Sequence, residues 1–250
     1  MKQIKHLLAA LLLIITVNTQ AQVGIGTSTP ATSAQLDVSS TTKGFLPPRM
    51  TVTQRDAIAS PAAGLTIYNT TINAFQVYNG TAWFSTVHFI GESYGAGIVF
   101  YVYDNGQHGL IAATADQNGG APIRWYGGSY TNTMAKSDGL GAGIKNTAII
   151  IGNQGYGDGG TYAARVCNEY SVTETVGAIT TTYGDWYLPS KYELNLLYLQ
   201  KTVVSGFASA YYWSSTEYDS YNAWAPFFSN GFQYHLDKGA TLRVRAVRAF

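Results

Sequence analysis

Residues 183–217 read YGDWYLPSKYELNLLYLQKTVVSGFASAYYWSSTE, and the rest of the chain is organised around them. Ser190, Lys191, Tyr192 and Glu193 have capping-box spacing. The Ser190 hydroxyl can accept from the N–H of Glu193, and the Glu193 carboxylate can reach back to the N–H of Ser190. Leu194, Leu197 and Tyr198 then recur at helical spacing, which predicts a short amphipathic helix over 191–201. Tyr211, Tyr212 and Trp213 resume the chain as a strand expected over 211–217. Trp213 and Trp224 each sit in the middle of a strand signature, so both are expected in the core.

Working outward, strands are expected over 222–228, 231–236 and 242–250, with Ser229-Asn230-Gly231 as a hairpin turn. In the last of these, Leu242, Val244 and Ala246 fall on one side and Arg243 and Arg245 on the other. Upstream, residues 95–102 form a glycine-led buried strand, Asp104-Asn105-Gly106 turns the chain, and residues 108–113 return. A first helix is expected over 162–170, with Ala163, Val166, Cys167 and Tyr170 on one face. The run SDGLGAGIKNTAIIIGNQGYGDGG at 137–160 reads as a long surface loop. Its Gly139-Leu140-Gly141-Ala142-Gly143 lacks the lysine-serine or lysine-threonine ending of a phosphate loop, with no strand expected before it and no helix after. Antiparallel strands with two helices make an α+β arrangement.

Residues 22–86 differ in texture, being rich in Thr, Ser, Ala and Pro. Short strands are expected over 35–38, 64–68 and 75–78, with a hairpin around Asn79-Gly80. A short helix with Thr53 as N-cap is expected within MTVTQRDAIASP. The segment offers little core of its own, and poor core with exposed strand edges is a physical reason to oligomerise. Residues 1–21 read as a secretory signal. Lys2 and Lys5 precede an apolar run from Leu7 to Val17, too short to span a bilayer, and Thr19-Gln20-Ala21 offers a cleavage site. No other segment is apolar enough to be transmembrane, so the product is expected to be secreted or held at the cell surface. The expected division is therefore 1–21, 22–86 and 87–250.

Composition excludes several classes. Charged residues make up 12% of the chain and the net charge is +1, so no basic field exists for nucleic acid. Cys167 is the single cysteine, which rules out an intrachain disulfide and a thiolate-rich zinc site, and it is expected to be a buried structural thiol. His88, His108 and His235 lack metal-ligand spacing, so no metal and no cofactor are expected. Of the central carboxylates, Glu193 is explained by the capping box. Asp185, beside Trp186, can pair with one of the terminal arginines Arg243, Arg245 and Arg248. No catalytic residue is assigned, and the protein is expected not to be an enzyme.

The motifs YGAGIVFYV, HGLIAA, YAARVC, YGDWYLPSKYELNLLY, YYWSSTE, NAW, FSNG and RVRAVRAF, in this order, resemble the carboxy-terminal domain of collagen-like adhesins, the Lcl C-terminal family. The resemblance covers about 90–250. It implies a C-type-lectin-like fold, similar also to that of formylglycine-generating enzymes, and a glycan-binding adhesin role. The copper-binding cysteine pair of the enzymes and the calcium-lectin motifs are missing from this sequence. Some C-type-lectin-like relatives carry binding surfaces diversified by a retroelement. Tyr, Asp, Ser, Asn, Phe and His, common in the stretch after Glu217, are reachable from an asparagine codon by changing adenines. The run VGIGTSTPATSAQLDVSSTTKGFLPPRMT resembles the amino-terminal segments of secreted Bacteroidetes surface proteins and the shafts of phage tail fibres, which implies a stalk that often trimerises.

The expected binding surface lies in YDSYNAWAPFFSNGFQYHLDKGA. It comprises Tyr218, Asp219, Tyr221, Asn222, Phe232, Gln233, Tyr234, His235, Asp237 and Lys238. Aromatic rings offer stiff contact area and the polar groups satisfy hydroxyls. The expected function is a secreted or surface adhesin-like protein presenting this surface to a glycan or a surface protein, possible as a homotrimer through the amino-terminal segment. The alternatives are a structural fibre component or, with less support, an enzyme acting on polysaccharide.

Overall fold

The computed structural model describes residues 22–250. The signal-like segment at 1–21 lies outside the described residues.

The amino-terminal region carries two small sheets. Strands β1 (Val23–Ile25) and β2 (Leu36–Val38) form a parallel pair with Val23 opposite Leu36 and Ile25 opposite Val38. A four-stranded sheet follows in the order β3-β4-β5-β6, from β3 (Arg49–Met50), β4 (Thr66–Asn69), β5 (Ala74–Tyr78) and β6 (Trp83–Ser85). The Asn79-Gly80 hairpin forms as expected: Asn79 Oδ1 accepts from the N–H groups of Thr81 and Ala82, and Gly80 sits at φ +100°. Helix α1 (Val52–Asp56) is capped by Thr51, two residues earlier than expected, where Gln54 at N3 completes a reciprocal box. Buried side chains are few here: Pro47, Ile67, Asn69, Ala74 and Gln76.

From residue 93 the chain builds a larger unit. Strands β7 (Ser93–Tyr94), β8 (Gly97–Tyr103) and β9 (His108–Ala112) make an antiparallel meander, with the Asp104-Asn105-Gly106 turn at positive φ throughout. A second helix, α2 (Ala142–Gln154), replaces the surface loop expected at 137–160. It is followed by α3 (Ala163–Asn168) and by a hairpin of β10 (Val172–Val176) and β11 (Ile179–Tyr183). The capping-box helix is α4 (Lys191–Leu199), continued by the single turn α5 (Lys201–Val204). Strands β12 (Asn222–Pro226) and β13 (Gln233–Asp237) pair antiparallel, and β14 (Val247–Ala249) closes the first sheet against β9.

The architecture is mixed helix and sheet, mostly small antiparallel sheets, and α+β as expected. After residue 93 four helices, α2 to α5, stand where two were anticipated. Residues 211–217 and 242–246 are extended but joined only by isolated bridges, such as Tyr211 to Phe227 and Tyr212 to Arg243. The Arg243 and Arg245 side chains both pair with Asp116.

Two apolar clusters hold the unit together. One gathers Val99, Ile111, Trp125, Ile150, Cys167, Trp186 and Trp213. The other gathers Phe100, Leu110, Leu194, Leu197, Tyr212 and Phe228. Cys167 is fully buried, and burial pushes its thiol well above the ordinary range. Trp213 lies in the core as expected, its indole N–H donating to Ile123 O.

Candidate functional site

The predicted binding stretch is a true strand pair, and strand alternation sorts its residues onto two faces. Ala223, Ala225 and Leu236 point to the core. Trp224 and His235 stand opposite each other on the outer face, so Trp224 is only half-buried and not the core residue its strand signature suggested. Tyr218 stacks on His235 with centroids 4.0 Å apart and planes at 5°. Trp224 meets both rings edge-on. The Lys191 ammonium sits 4.4 Å from the Trp224 ring, while also pairing with Asp138 at 3.4 Å.

A second group continues along the same edge. Tyr130 stacks on Tyr126 at 4.8 Å and leans on Tyr221 at 5.4 Å. Its hydroxyl donates to Asp237 Oδ1 at 2.6 Å, which pushes the Tyr130 phenol up to about 12. Tyr126 and Tyr130 escaped the sequence reading because they lie about a hundred residues upstream. Asp219 is held below the usual carboxylate range. Desolvation opposes its charge, but the N–H groups of Tyr221 and Asn222 both donate to Oδ1. This Asx turn fixes the loop that presents Tyr221, the most exposed ring of the group at 60%.

The remaining predicted residues part company. Tyr234 falls on the opposite face from His235 and packs edge-on against Tyr211. Phe232 is exposed in the turn, and Gln233 donates to Asn195 Oδ1 on α4. Lys238 is not a surface residue. Its side chain is fully buried and Nζ donates to Glu217 Oε1 at 2.6 Å, Thr131 O at 2.9 Å and Ser220 O at 3.0 Å. Burial pushes this ammonium below the ordinary lysine range, against the pull of Glu217. The Glu217 carboxylate also accepts from Thr133 N, Thr133 Oγ1 and Met134 N. Every donor of the ammonium is used, so the ion pair is a clamp under the surface.

Asp185 and Asp116 are likewise spent on structure. Asp185 pairs with Arg248 through two contacts at 2.7 and 2.9 Å, as the sequence suggested. Asp116 takes Arg245, Arg243 and the Tyr212 hydroxyl. No group of three or more metal-ligating side chains occurs among the described residues. The glycine run 139–143 leads into α2, but its N–H groups at Gly141 and Gly143 are occupied by Glu193 and face no open site.

The family model for the phage tail-like trimerisation region matches residues 24–95. The match takes in all but the first two residues of the 22–86 segment and runs on through β7. No curated protein matches the chain.

Proposed function

We propose that the chain is an extracellular fibre-type structural component, assembled as a homotrimer through its amino-terminal region and carrying residues 87–250 as a head. The observation behind this reading is the coincidence of two facts over one stretch. Residues 24–95 are similar to a trimerisation region, and residues 22–86 bury too few side chains to stand alone. Native mass spectrometry of the chain lacking residues 1–21 is expected to give three copies per particle. A monomer across the micromolar range would overturn the reading.

A second reading gives the head a recognition role, with a C-type-lectin-like fold and no catalytic activity. It is favoured by the exposure of Tyr218, Tyr221 and His235 over a rigid, clamped hairpin. Glycan and surface-protein arrays probed with the whole chain test it. Binding lost in Tyr218→Ala and Tyr221→Ala, and little changed between low and high salt, supports it. An array without a binder leaves the plain fibre component.

A further inference from the structure

The amino-terminal region has two bare apolar faces, chemically unlike each other. The first belongs to the parallel pair. Register places Val23, Ile25, Leu36 and Val38 on one side of β1 and β2, all exposed, from 41 to 55%. The other side of the same pair is covered by its own connection. Gly24 packs against Thr27 and Pro30, and Asp37 Oδ2 accepts from Ala31 N at 2.9 Å. The pair is therefore closed on one side and open on the other. A two-stranded sheet with an uncovered apolar side is not stable by itself in water.

The second face belongs to the four-stranded sheet. Ile67, Asn69, Ala74 and Gln76 are buried on one side, where Arg55 of α1 donates to Gln76 Oε1 and lies over Trp83. The opposite side carries Tyr68, Phe75, Val77 and Phe84, with Val77 directly opposite Phe84 and Tyr68 meeting Phe75 edge-on. Phe75 and Phe84 are 42% and 54% exposed.

A pair of subunits related by a two-fold axis needs one self-complementary patch, whereas a closed ring needs two different patches per copy. This chain supplies two: an aliphatic ridge on β1–β2 and an aromatic plate on β4–β5–β6. The geometry points to a head-to-tail interface in which the β1–β2 ridge of one copy packs on the β4–β5–β6 plate of the next, closing at three. The occupant of each face is a second copy of this chain. The assignment rests on the trimer reading and specifies the contact.

Cysteine cross-linking in the full chain tests it, since Cys167 is buried and stays out of the reaction. Under mild oxidation the double variant Ile25→Cys with Phe84→Cys is expected to give covalent dimers and trimers on non-reducing gels. Each single variant is expected to stay uncross-linked. Cross-links in the single variants would mean that like faces meet at the axis, and would overturn the head-to-tail contact. A trimer by native mass that fails to cross-link in any variant would also overturn it while sparing the trimer. An unmodified chain that is monomeric would remove the trimer reading itself. As a second readout, Ile25→Asp and Phe84→Asp alter exposed positions only and are each expected to reduce the trimer to monomer with an unchanged circular-dichroism spectrum.

Discussion

Glu193 caps a helix fifty residues upstream of its own: its Oε2 accepts from the N–H of Gly143 at 3.2 Å. Oε1 accepts from Gly141 N at 2.8 Å and from the Tyr187 hydroxyl at 3.2 Å. Within its own helix the same carboxylate accepts from Ser190 N at 2.8 Å, completing the capping box. One fully buried side chain thus accepts from donors at the amino termini of both α2 and α4. Burial raises its pKa, against the backbone donors that hold the charge.

Removing that carboxylate strands several buried donors at once. Glu193→Ala is expected to destabilise the head by about 4 kcal/mol, since each hydrogen bond to a charged group contributes roughly 1.5–3 kcal/mol and the losses are not additive. Glu193→Gln keeps one acceptor and places an amide donor against another N–H, so about 2 kcal/mol is expected. Urea unfolding of the whole chain measures both. A Glu193→Ala midpoint equal to that of the unaltered protein would refute the shared cap.

Two glycines of α2 should respond in opposite directions to the same change. Alanine in a helix interior is favoured over glycine by about 1 kcal/mol. At Gly152, exposed and with open space around it, Gly152→Ala is expected to gain about 0.5–1 kcal/mol. At Gly143 a Cβ would lie 2.4 Å from Glu193 Oε2 and 2.7 Å from the Tyr187 ring. Gly143→Ala is therefore expected to lose about 1–3 kcal/mol, in the range for overpacking. Thermal unfolding of the two variants side by side decides it; a common sign would contradict the packing.

The shared cap also explains what the sequence hid. Helix α4 was legible because its capping box is local, and the Asn79-Gly80 and Asp104-Asn105-Gly106 turns were legible because their chemistry lies within four residues. Helix α2 was not, since it opens on Gly141 at φ +75° and takes its cap from Glu193. Glycines at 139, 141 and 143 then read as loop. At the site, alternation places Trp224 and His235 correctly once the strands are known to pair. Lys238 turned out buried because its partners, Glu217 and the carbonyls of Thr131 and Ser220, are brought to it only by the fold. A lysine among tyrosines looks like surface until its partner is found.

Acid should weaken the contact between Arg124 and Asp158. The Arg124 guanidinium holds the Asp158 carboxyl down to about 2, helped by Gly160 N. The folded value lies below the unfolded one of about 3.9, so the contribution is present above about pH 4 and is lost as pH falls through about 2. The pair is solvent-exposed, so the effect is small and weakens further in salt. Stability measured from pH 5 to pH 2 is expected to fall less steeply in Arg124→Gln than in the unaltered chain. Parallel curves would show that the pair adds nothing.

The buried pair of Lys238 and Glu217 should behave differently, because both side chains are fully shielded from solvent. Lys238→Met leaves a buried carboxylate without its counter-ion and is expected to cost about 3–5 kcal/mol. Thr133 and Met134 still donate to that carboxylate, which favours the lower end. Adding Glu217→Gln removes the stranded charge, so the double variant should be more stable than the two single losses predict, with a coupling above about 1 kcal/mol. Urea midpoints of the four proteins give the cycle directly, and strict additivity would mean the two groups do not act as a pair. The same clamp ties Ser220 O to the strand end, where Lys238 N also donates to Tyr221 O at 2.8 Å. Hydrogen exchange at Lys238 and Asn222 should therefore quicken in Lys238→Met while α4 stays protected. If Tyr221 contributes to recognition, the double variant, which removes the stranded charge but also lacks the tether to Ser220, helps separate a loosened loop from a weakened fold.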